Sequence, residues 1–154
     1  MDSASVGIDY RVIVLGNTMS MELPIFLLLY LISVPLFFLI DLVWLGYVAR
    51  DLYQRELAQF LGEVRWGVAV GFYLIYLLGV TYFASYPAYL DGDVGKAVLV
   101  GGLFGFFTYM TYDMTNLATL KNWPIKVVVV DVVWGSVLAA SVAGGTVYIA
   151  GLFF

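Results

Sequence analysis

The chain alternates between four long hydrophobic runs and short polar segments. The runs cover about residues 23–49, 66–86, 97–120 and 125–153. Each is long enough to supply the ~20 apolar residues that a helix needs to cross ~30 Å of hydrocarbon. The pattern therefore predicts four transmembrane helices. Because short connections join consecutive spans, we expect them to form an antiparallel bundle.

The polar segment between the first two spans, RDLYQRELAQFLGEVR, has a helical pattern of its own. Apolar residues recur there at intervals of three or four positions: Ala49, Tyr53, Leu57, Phe60 and Val64. This spacing places them in one stripe and predicts a short amphipathic helix lying in the membrane interface. A charged, solvated connector is the alternative interpretation.

Composition places the chain among integral membrane proteins. Of its 154 residues, 63% are hydrophobic and 12% are charged, with a mean hydropathy of +0.97. Soluble domains have about 45–50% apolar and about 25% charged residues. We therefore predict an all-α integral membrane fold with the lipid bilayer as its main partner.

Several kinds of chemistry are disfavoured by composition. A net charge of −4 without a basic patch argues against nucleic acid as a partner. The chain has no cysteine and no histidine, which removes disulfides, thiolates and imidazole ligands. We accordingly predict neither a cofactor nor a resident metal.

Positively charged residues are distributed unevenly between the two sides of the predicted bundle. Arg11 and Lys96 lie on one side. The other side carries five such residues, Arg50, Arg55, Arg65, Lys121 and Lys126. The positive-inside rule makes the second side cytoplasmic. It predicts a multi-pass protein of the cell (inner) membrane with both termini on the non-cytoplasmic side.

Residues 1–21 precede the first span and are only weakly apolar. They lack the basic region, long apolar core and cleavage site of a signal peptide. Met19 and Met21 are alternative starting residues. We interpret residues 1–21 as an N-terminal leader, either disordered or a misassigned start, and residues 22–154 as one transmembrane domain.

Three acidic residues interrupt the apolar spans: Asp41, Asp113 and Asp131. An ionised Asp at the centre of a membrane helix costs roughly 2.5–3.5 kcal/mol, so its presence there calls for a reason. The three lie nine, eight and five residues from the nearest basic residue flanking their spans. A rise of 1.5 Å per residue converts these separations to depths of roughly 13, 12 and 8 Å. We therefore expect three different helices to bring the carboxylates into one cytoplasmic-side layer.

Other polar and aromatic side chains fall in the same layer. The third span carries tyrosine, tyrosine, aspartate and asparagine at positions i, i+3, i+4 and i+7, which share one helical face. The first and fourth spans each contain the motif Asp-x-x-Trp. These residues together predict one ligand-binding pocket, formed by Asp41, Trp44, Tyr109, Tyr112, Asp113, Asn116, Asp131 and Trp134.

Two further patterns concern helix packing. Small residues recur every four positions in the second, third and fourth spans, and this spacing predicts close helix contact. They are Gly67 and Gly71, Gly101 and Gly105, and Gly135, Ala139 and Ala143. A row of threonines in the third span, Thr108, Thr111, Thr115 and Thr119, suggests a face turned toward protein or water. Pro35 is expected to loosen or kink the first span before Asp41.

Three segments carry a family resemblance: FLIDLVWLG around Asp41, YDMTNLATLKNWP over residues 112–124, and VVDVVWG around Asp131. They resemble a family of small bacterial membrane proteins known as domain of unknown function 2177. The resemblance covers about residues 21–154. It implies a four-helix membrane protein without assigned biochemistry, so it leaves the function open.

The leading functional hypothesis is binding or transport of a small cationic or amine substrate, or of a cation, with proton coupling. Clustered carboxylates in a low dielectric share protons, and aromatic walls attract cations. Because four helices make a thin bundle, we expect a homodimer or a larger membrane complex. One alternative is a metal-assisted enzyme acting on lipids or isoprenoids, with the aspartates and Asn116 as oxygen ligands. The other is a structural or accessory subunit in which the polar residues only tie helices together.

Overall fold

The computed structural model describes residues 10–154, with side chains from Leu23 onward, and every regular element in that range is helical. Four helical stretches are long and apolar enough to cross a membrane: Leu23–Val48, Trp66–Leu90, Val94–Thr119 and Ile125–Phe153. The predicted all-α membrane fold with four spans is thereby confirmed. The elements are α1 (Tyr10–Val43), a first π-helical segment (Trp44–Val48), α2 (Arg50–Glu56), α3 (Trp66–Val80), a second π-helical segment (Thr81–Ser85), α4 (Tyr86–Leu90), α5 (Val94–Thr119) and α6 (Ile125–Phe153).

The first residues of the predicted leader, 1–9, lie outside the described residues, and α1 already begins at Tyr10. The division into a leader (1–21) and a transmembrane domain (22–154) stays a prediction.

The ends of two spans differ from those expected. The second span continues to Leu90 rather than to residue 86, because the second π-helical segment leads directly into α4 and Pro87 is accommodated in the turn that follows it. The third span begins at Val94, where the Asp93 carboxylate accepts a hydrogen bond from the backbone N–H of Lys96 (2.9 Å). This N-cap starts the helix three residues before the apolar run.

Helix α1 runs through Pro35 without ending there. Its α-helical spacing changes further on, at the first π-helical segment, where the N–H of Ala49 donates to the carbonyl of Trp44 (2.8 Å). The wider turn adds a residue to the hydrogen-bonded ring and changes the direction in which following side chains point. The π-helical irregularity in the first span therefore follows Asp41, and the kink at Pro35 stays a prediction.

The segment after the first span contains a helix that is shorter than the sequence suggested. Helix α2 has seven residues and ends at Glu56, and Lys126 at the start of α6 approaches the Glu56 carboxylate (3.7 Å). Ala49 is buried and Tyr53 half-buried, whereas Phe60, beyond the helix, is exposed. The Phe60 ring nevertheless packs against the buried Trp123 between α5 and α6 (centroids 5.2 Å apart), so the apolar stripe contacts the bundle beyond the helix as well. The location of α2 in the membrane interface stays a prediction.

Helices α5 and α6 form the closest contact in the bundle. A Cβ atom added to Gly105 would lie 2.1 Å from the carbonyl oxygen of Gly135, and one added to Gly101 would lie 2.7 Å from that of Ala139. The small residues of α5 and α6 therefore permit backbone-to-backbone approach, as their spacing predicted. The same prediction was wrong for Gly67 and Gly71 of α3, where an added Cβ would meet no described atom within 4 Å. The later residue of α5, Gly105, meets the earlier residue of α6, Gly135, so these two helices run in opposite directions. The antiparallel order of the whole bundle stays a prediction.

The second span packs differently along its length. Near the middle of the bundle, Tyr73 and Tyr76 of α3 contact Phe37 of α1, and Leu77 is fully buried in the same core. The second π-helical segment also packs against α5. Toward Trp66 a cavity separates α3 from α5. One end of the bundle is therefore close-packed, and the other is partly open between these two helices.

Candidate functional site

Asp41 lies in the last turn of α1 and is 3% exposed. Its carboxylate accepts a hydrogen bond from the indole N–H of Trp134 on α6 (3.3 Å). The phenol of Tyr73 approaches the same carboxylate from α3. Three helices therefore meet at Asp41, and the buried carboxylate has a donor there, as buried polar groups require.

Asp131 on α6 is half-buried and accepts a hydrogen bond from the hydroxyl of Tyr53. The Tyr53 oxygen in turn accepts a hydrogen bond from the indole N–H of Trp44 (3.1 Å). Burial, and then the hydrogen bond to Asp131, raises the pKa of Tyr53 above its ordinary value of 10.0. Tyr53 consequently keeps its proton at neutral pH and remains a donor to Asp131.

The indole rings of Trp44 and Trp134 stack on each other, with centroids 4.1 Å apart and planes 5° from parallel. Each tryptophan is hydrogen-bonded toward the aspartate of the other motif. Trp134 donates directly to Asp41, whereas Trp44 donates to Tyr53, which in turn donates to Asp131. The two Asp-x-x-Trp motifs are therefore reciprocal partners. We call these five residues the carboxylate–indole cluster.

Asp113 has different surroundings from the other two aspartates. It is fully buried on the face of α5 that packs against α6, and neither carboxylate oxygen has a hydrogen-bond partner among the described residues. Trp123 approaches it without a hydrogen bond of normal geometry. Asp113 is thus buried apart from the carboxylate–indole cluster and forms no hydrogen bond with any of its members.

A cavity of about 960 Å³ lies between α3 and α5, with Asp131 of α6 in its wall. Most of its lining is aromatic, and its polar groups are tyrosine and threonine hydroxyls besides the one carboxylate. The lining residues are Ala69, Phe72, Tyr73, Tyr76, Phe104, Phe107, Thr108, Tyr109, Thr111, Tyr112 and Asp131. Asp131 and Tyr73 connect this cavity with the carboxylate–indole cluster.

The eight residues predicted as one pocket fall into four places. Two small groups hold most of them: the carboxylate–indole cluster contains Asp41, Trp44, Asp131 and Trp134, and the cavity wall contains Tyr109, Tyr112 and again Asp131. Asp113 faces α6 instead of the cavity. Asn116 is half-buried and belongs to neither group. Whether any of the eight binds a ligand stays a prediction.

Three tyrosines at the site were not among the predicted residues: Tyr53, Tyr73 and Tyr76. Tyr53 is the only hydroxyl-bearing residue in the apolar stripe after the first span, which is a signal for a buried hydrogen bond. Tyr73 and Tyr76 are separated by three positions in the second span and so share one face. Polar groups at helical spacing in an apolar span were therefore present in the second helix as well as in the third.

The hydroxyls of the threonine row in α5 form hydrogen bonds within the helix. Thr111, Thr115 and Thr119 each donate to the backbone carbonyl four residues earlier, at 2.6–2.7 Å. Thr108 does the same with Phe104 (2.8 Å). Such back-bonded hydroxyls need no protein or water partner, and Thr111, Thr115 and Thr119 are exposed. Thr111 lines the cavity, and whether the rest of this row faces protein, water or lipid stays a prediction.

The described part of the chain contains no group of three acidic side chains close enough to hold a metal ion together. The arrangement of Asp41, Asp113 and Asp131 therefore does not favour the metal-assisted enzyme.

Comparison with protein families gives one match. The family model described as "Predicted membrane protein (DUF2177)" matches residues 26–148, which include every residue of the cluster and the cavity wall. The chain belongs to the DUF2177 family. Comparisons with curated proteins and with solved structures give no match. Membership of DUF2177 agrees with four apolar helices in a multi-pass arrangement and assigns no chemistry to the site.

Proposed function

We propose that this DUF2177 protein binds a small cationic or amine molecule in the cavity between α3 and α5, and that it carries this molecule, or a simple cation, across the membrane in exchange for protons. The observation that supports the proposal best is the carboxylate of Asp131 in the wall of a cavity that is otherwise aromatic and hydroxylic. Opposite charge and aromatic faces together are the usual means of recognising ammonium groups.

The size and lining of the cavity suit such a ligand. Its volume of about 960 Å³ lies within the range of about 300–1,000 Å³ found for small-molecule sites. The rings of Tyr73, Tyr109 and Tyr112 in the cavity wall supply cation–π attraction, worth about 0.5–2 kcal/mol for each well-placed contact. A cation beside Asp131 also neutralises a charge that the surrounding apolar helices solvate poorly.

Proton coupling follows from the number of carboxylates. In this proposal, a cation that binds beside Asp131 displaces a proton from its carboxylate. The protonation of Asp113 then changes with the charge of Asp131. Groups that interact this way titrate as a unit. The charged rim around Arg50, Lys121 and Lys126 marks the cytoplasmic side, and the protein acts as a homodimer or within a larger membrane complex.

The test is calorimetric titration of tetramethylammonium into the protein in lipid nanodiscs, in two buffers of different ionisation enthalpy. We expect saturable binding that releases protons. Asp131→Asn removes the charge but keeps an oxygen that can accept from Tyr53, and it should weaken binding about tenfold or more. Asp51→Asn, an exposed carboxylate on α2, is the matched control and should leave binding unchanged. Absence of saturable binding, or equal affinities of wild type and Asp131→Asn, would contradict the proposal.

A second candidate is a structural or accessory subunit. The hydrogen bonds from Trp134 to Asp41 and from Tyr53 to Asp131 join separate elements and favour this interpretation. Such bonds in membrane proteins contribute about 0.6 kcal/mol on average. In that case Asp131→Asn would alter helix association or stability in the same nanodiscs, and no ammonium probe would bind to either protein.

A further inference from the structure

The cavity between α3 and α5 has a polar end and an apolar end. Tyr112 lies seven residues from the end of α5 and Asp131 six residues from the start of α6, which places both about 10 Å from the helix ends. Phe104 lies fifteen residues from the end of α5, about 22 Å deep. Polarity therefore decreases along the cavity over about 12 Å, in the same direction as it does from headgroup to acyl chain in one leaflet.

The cavity opens toward the surface that faces lipid. Phe72 on α3 is 59% exposed and Phe107 on α5 is 60% exposed, and both line the cavity. Phe107 is about 18 Å from the end of α5, at the depth of hydrocarbon. Since exposed side chains at this depth contact acyl chains, a ligand can enter between the two helices from within the bilayer.

A buried hydroxyl lies between the two ends. Tyr76 lines the cavity, and its hydroxyl is buried and makes no hydrogen bond of normal geometry among the described residues. The Thr108 side chain approaches it, but the Thr108 hydroxyl donates its own proton to backbone carbonyls of α5. Tyr76 lies ten residues into α3, about 15 Å deep and so about 5 Å deeper than Asp131. A buried hydroxyl in this position requires an acceptor, which a bound molecule can supply.

We infer that the ligand is a single-chain amphiphile taken from one leaflet, with an ammonium head at Asp131, an ester or amide oxygen at Tyr76 and a hydrocarbon chain along Phe104 and Phe107. The inference rests on the proposed function, because it places the cation at the same carboxylate. A small water-soluble amine uses neither the apolar end nor the lateral opening. A two-chain lipid exceeds the size range of such sites.

The experiment compares three probes that share a trimethylammonium head, in nanodiscs, with titrations into empty nanodiscs subtracted and concentrations expressed per bilayer lipid. Lauroylcholine has an ester and a chain, dodecyltrimethylammonium has the chain alone, and tetramethylammonium has neither. Lauroylcholine should bind most tightly. Phe107→Ala should weaken lauroylcholine about tenfold and leave tetramethylammonium within about twofold.

Two further variants sharpen the result. Phe106→Ala removes the neighbouring ring, which does not line the cavity, and should change no affinity. Tyr76→Phe should abolish the preference for lauroylcholine over dodecyltrimethylammonium, because the two rings differ only in the hydroxyl. Thermal unfolding of each variant establishes that it is folded.

The possible outcomes separate this inference from the proposed function. If tetramethylammonium binds in an Asp131-dependent way while Phe107→Ala has no effect on the chain-bearing probes, the amphiphile inference is overturned and the proposed function stands. If no probe binds saturably, both are overturned. Saturable binding of lauroylcholine that depends on Asp131, Phe107 and Tyr76 supports both.

Discussion

The two sides of α5 contrast sharply. On the side facing α6, Gly101 and Gly105 bring the backbones so close that no Cβ atom fits between them. On the side facing α3, Phe104 and Phe107 border a cavity of about 960 Å³. Because lipid supplies no hydrophobic force between helices, association in a membrane depends on packing contacts of the first kind. The tight side can therefore hold α5 in place while the other side stays open.

The contrast also separates residues that hold the fold together from those available for binding. Asp113 belongs to the tight side and is fully enclosed. Tyr112, its neighbour in sequence, borders the cavity and is 59% exposed. Tyr112 is therefore accessible from the cavity, whereas Asp113 is not.

The largest effect is expected from adding one methyl group to the tight side. Gly105→Ala places a Cβ where the Gly135 carbonyl oxygen lies 2.1 Å away, so the two helices must separate. We expect the free energy of unfolding to fall by about 3 kcal/mol or more. Unfolding in mixed micelles, titrated with sodium dodecyl sulfate and followed by circular dichroism, measures it.

Gly71→Ala provides the matched control, since Gly71 is also inside a helix but has no atom within 4 Å of an added Cβ. That variant should be as stable as the wild type or slightly more stable, because alanine favours helix over glycine by about 1 kcal/mol. Equal losses in the two variants would contradict the assignment of a tight side.

An intermediate effect is expected at the polar end of the open side. Tyr53→Phe removes the hydroxyl that links Trp44 to Asp131 and leaves the carboxylate without this donor. We expect a loss of about 1–2 kcal/mol of stability, more than the ~0.6 kcal/mol of an average bond because the half-buried carboxylate loses its donor, and faster exchange of the α2 amides. Hydrogen exchange over residues 50–56, read by mass spectrometry, measures the loosening.

Tyr47→Phe is the control for that variant, because Tyr47 is 91% exposed and lies in the neighbouring π-helical segment. If both substitutions leave the exchange of α2 unchanged, then Tyr53 does not anchor this helix to Asp131.

The smallest effect on stability is expected from filling the cavity. Ala69→Leu adds three carbon atoms on the open side, where Ala69 lines free space. The free energy of unfolding should change by less than about 1 kcal/mol, although Gly105→Ala adds only one carbon. Binding of tetramethylammonium should weaken, since the added side chain occupies the site. A loss of stability as large as that in Gly105→Ala would show that the cavity wall cannot accept added volume.

The sequence predicted the four spans to within a few residues, because runs of about 20 apolar residues have few alternatives in a membrane protein. It also predicted a common location for Asp41 and Asp131. Their Asp-x-x-Trp motifs place each indole on the same face as its carboxylate, so two facing helices can exchange partners. The close approach at Gly101 and Gly105 likewise followed from small-residue spacing.

The sequence could not predict which residues of the third span face α6 and which face the cavity. Neighbouring residues on a helix point about 100° apart, and a face defined by spacing is about that wide. The predicted face of Tyr109, Tyr112, Asp113 and Asn116 therefore extends over the boundary between two neighbouring helices. Helical periodicity groups these residues but does not determine which helix each one meets. Tyr53 was missed for a related reason, since its partner on α6 is 78 residues away in sequence.

The exchange of donors between the two Asp-x-x-Trp motifs has a consequence for biogenesis. Asp41 emerges from the ribosome with the first span, but its indole donor lies 93 residues later, in the last. Until the last span is synthesised, the first helix therefore lies in the translocon or the lipid with an acidic side chain that lacks this donor. The fourth span brings Trp134 to Asp41 and offers Asp131 to Tyr53 in one step. Insertion of the final helix thus completes the protein, and a nascent chain that lacks it displays a polar defect that membrane quality control can recognise.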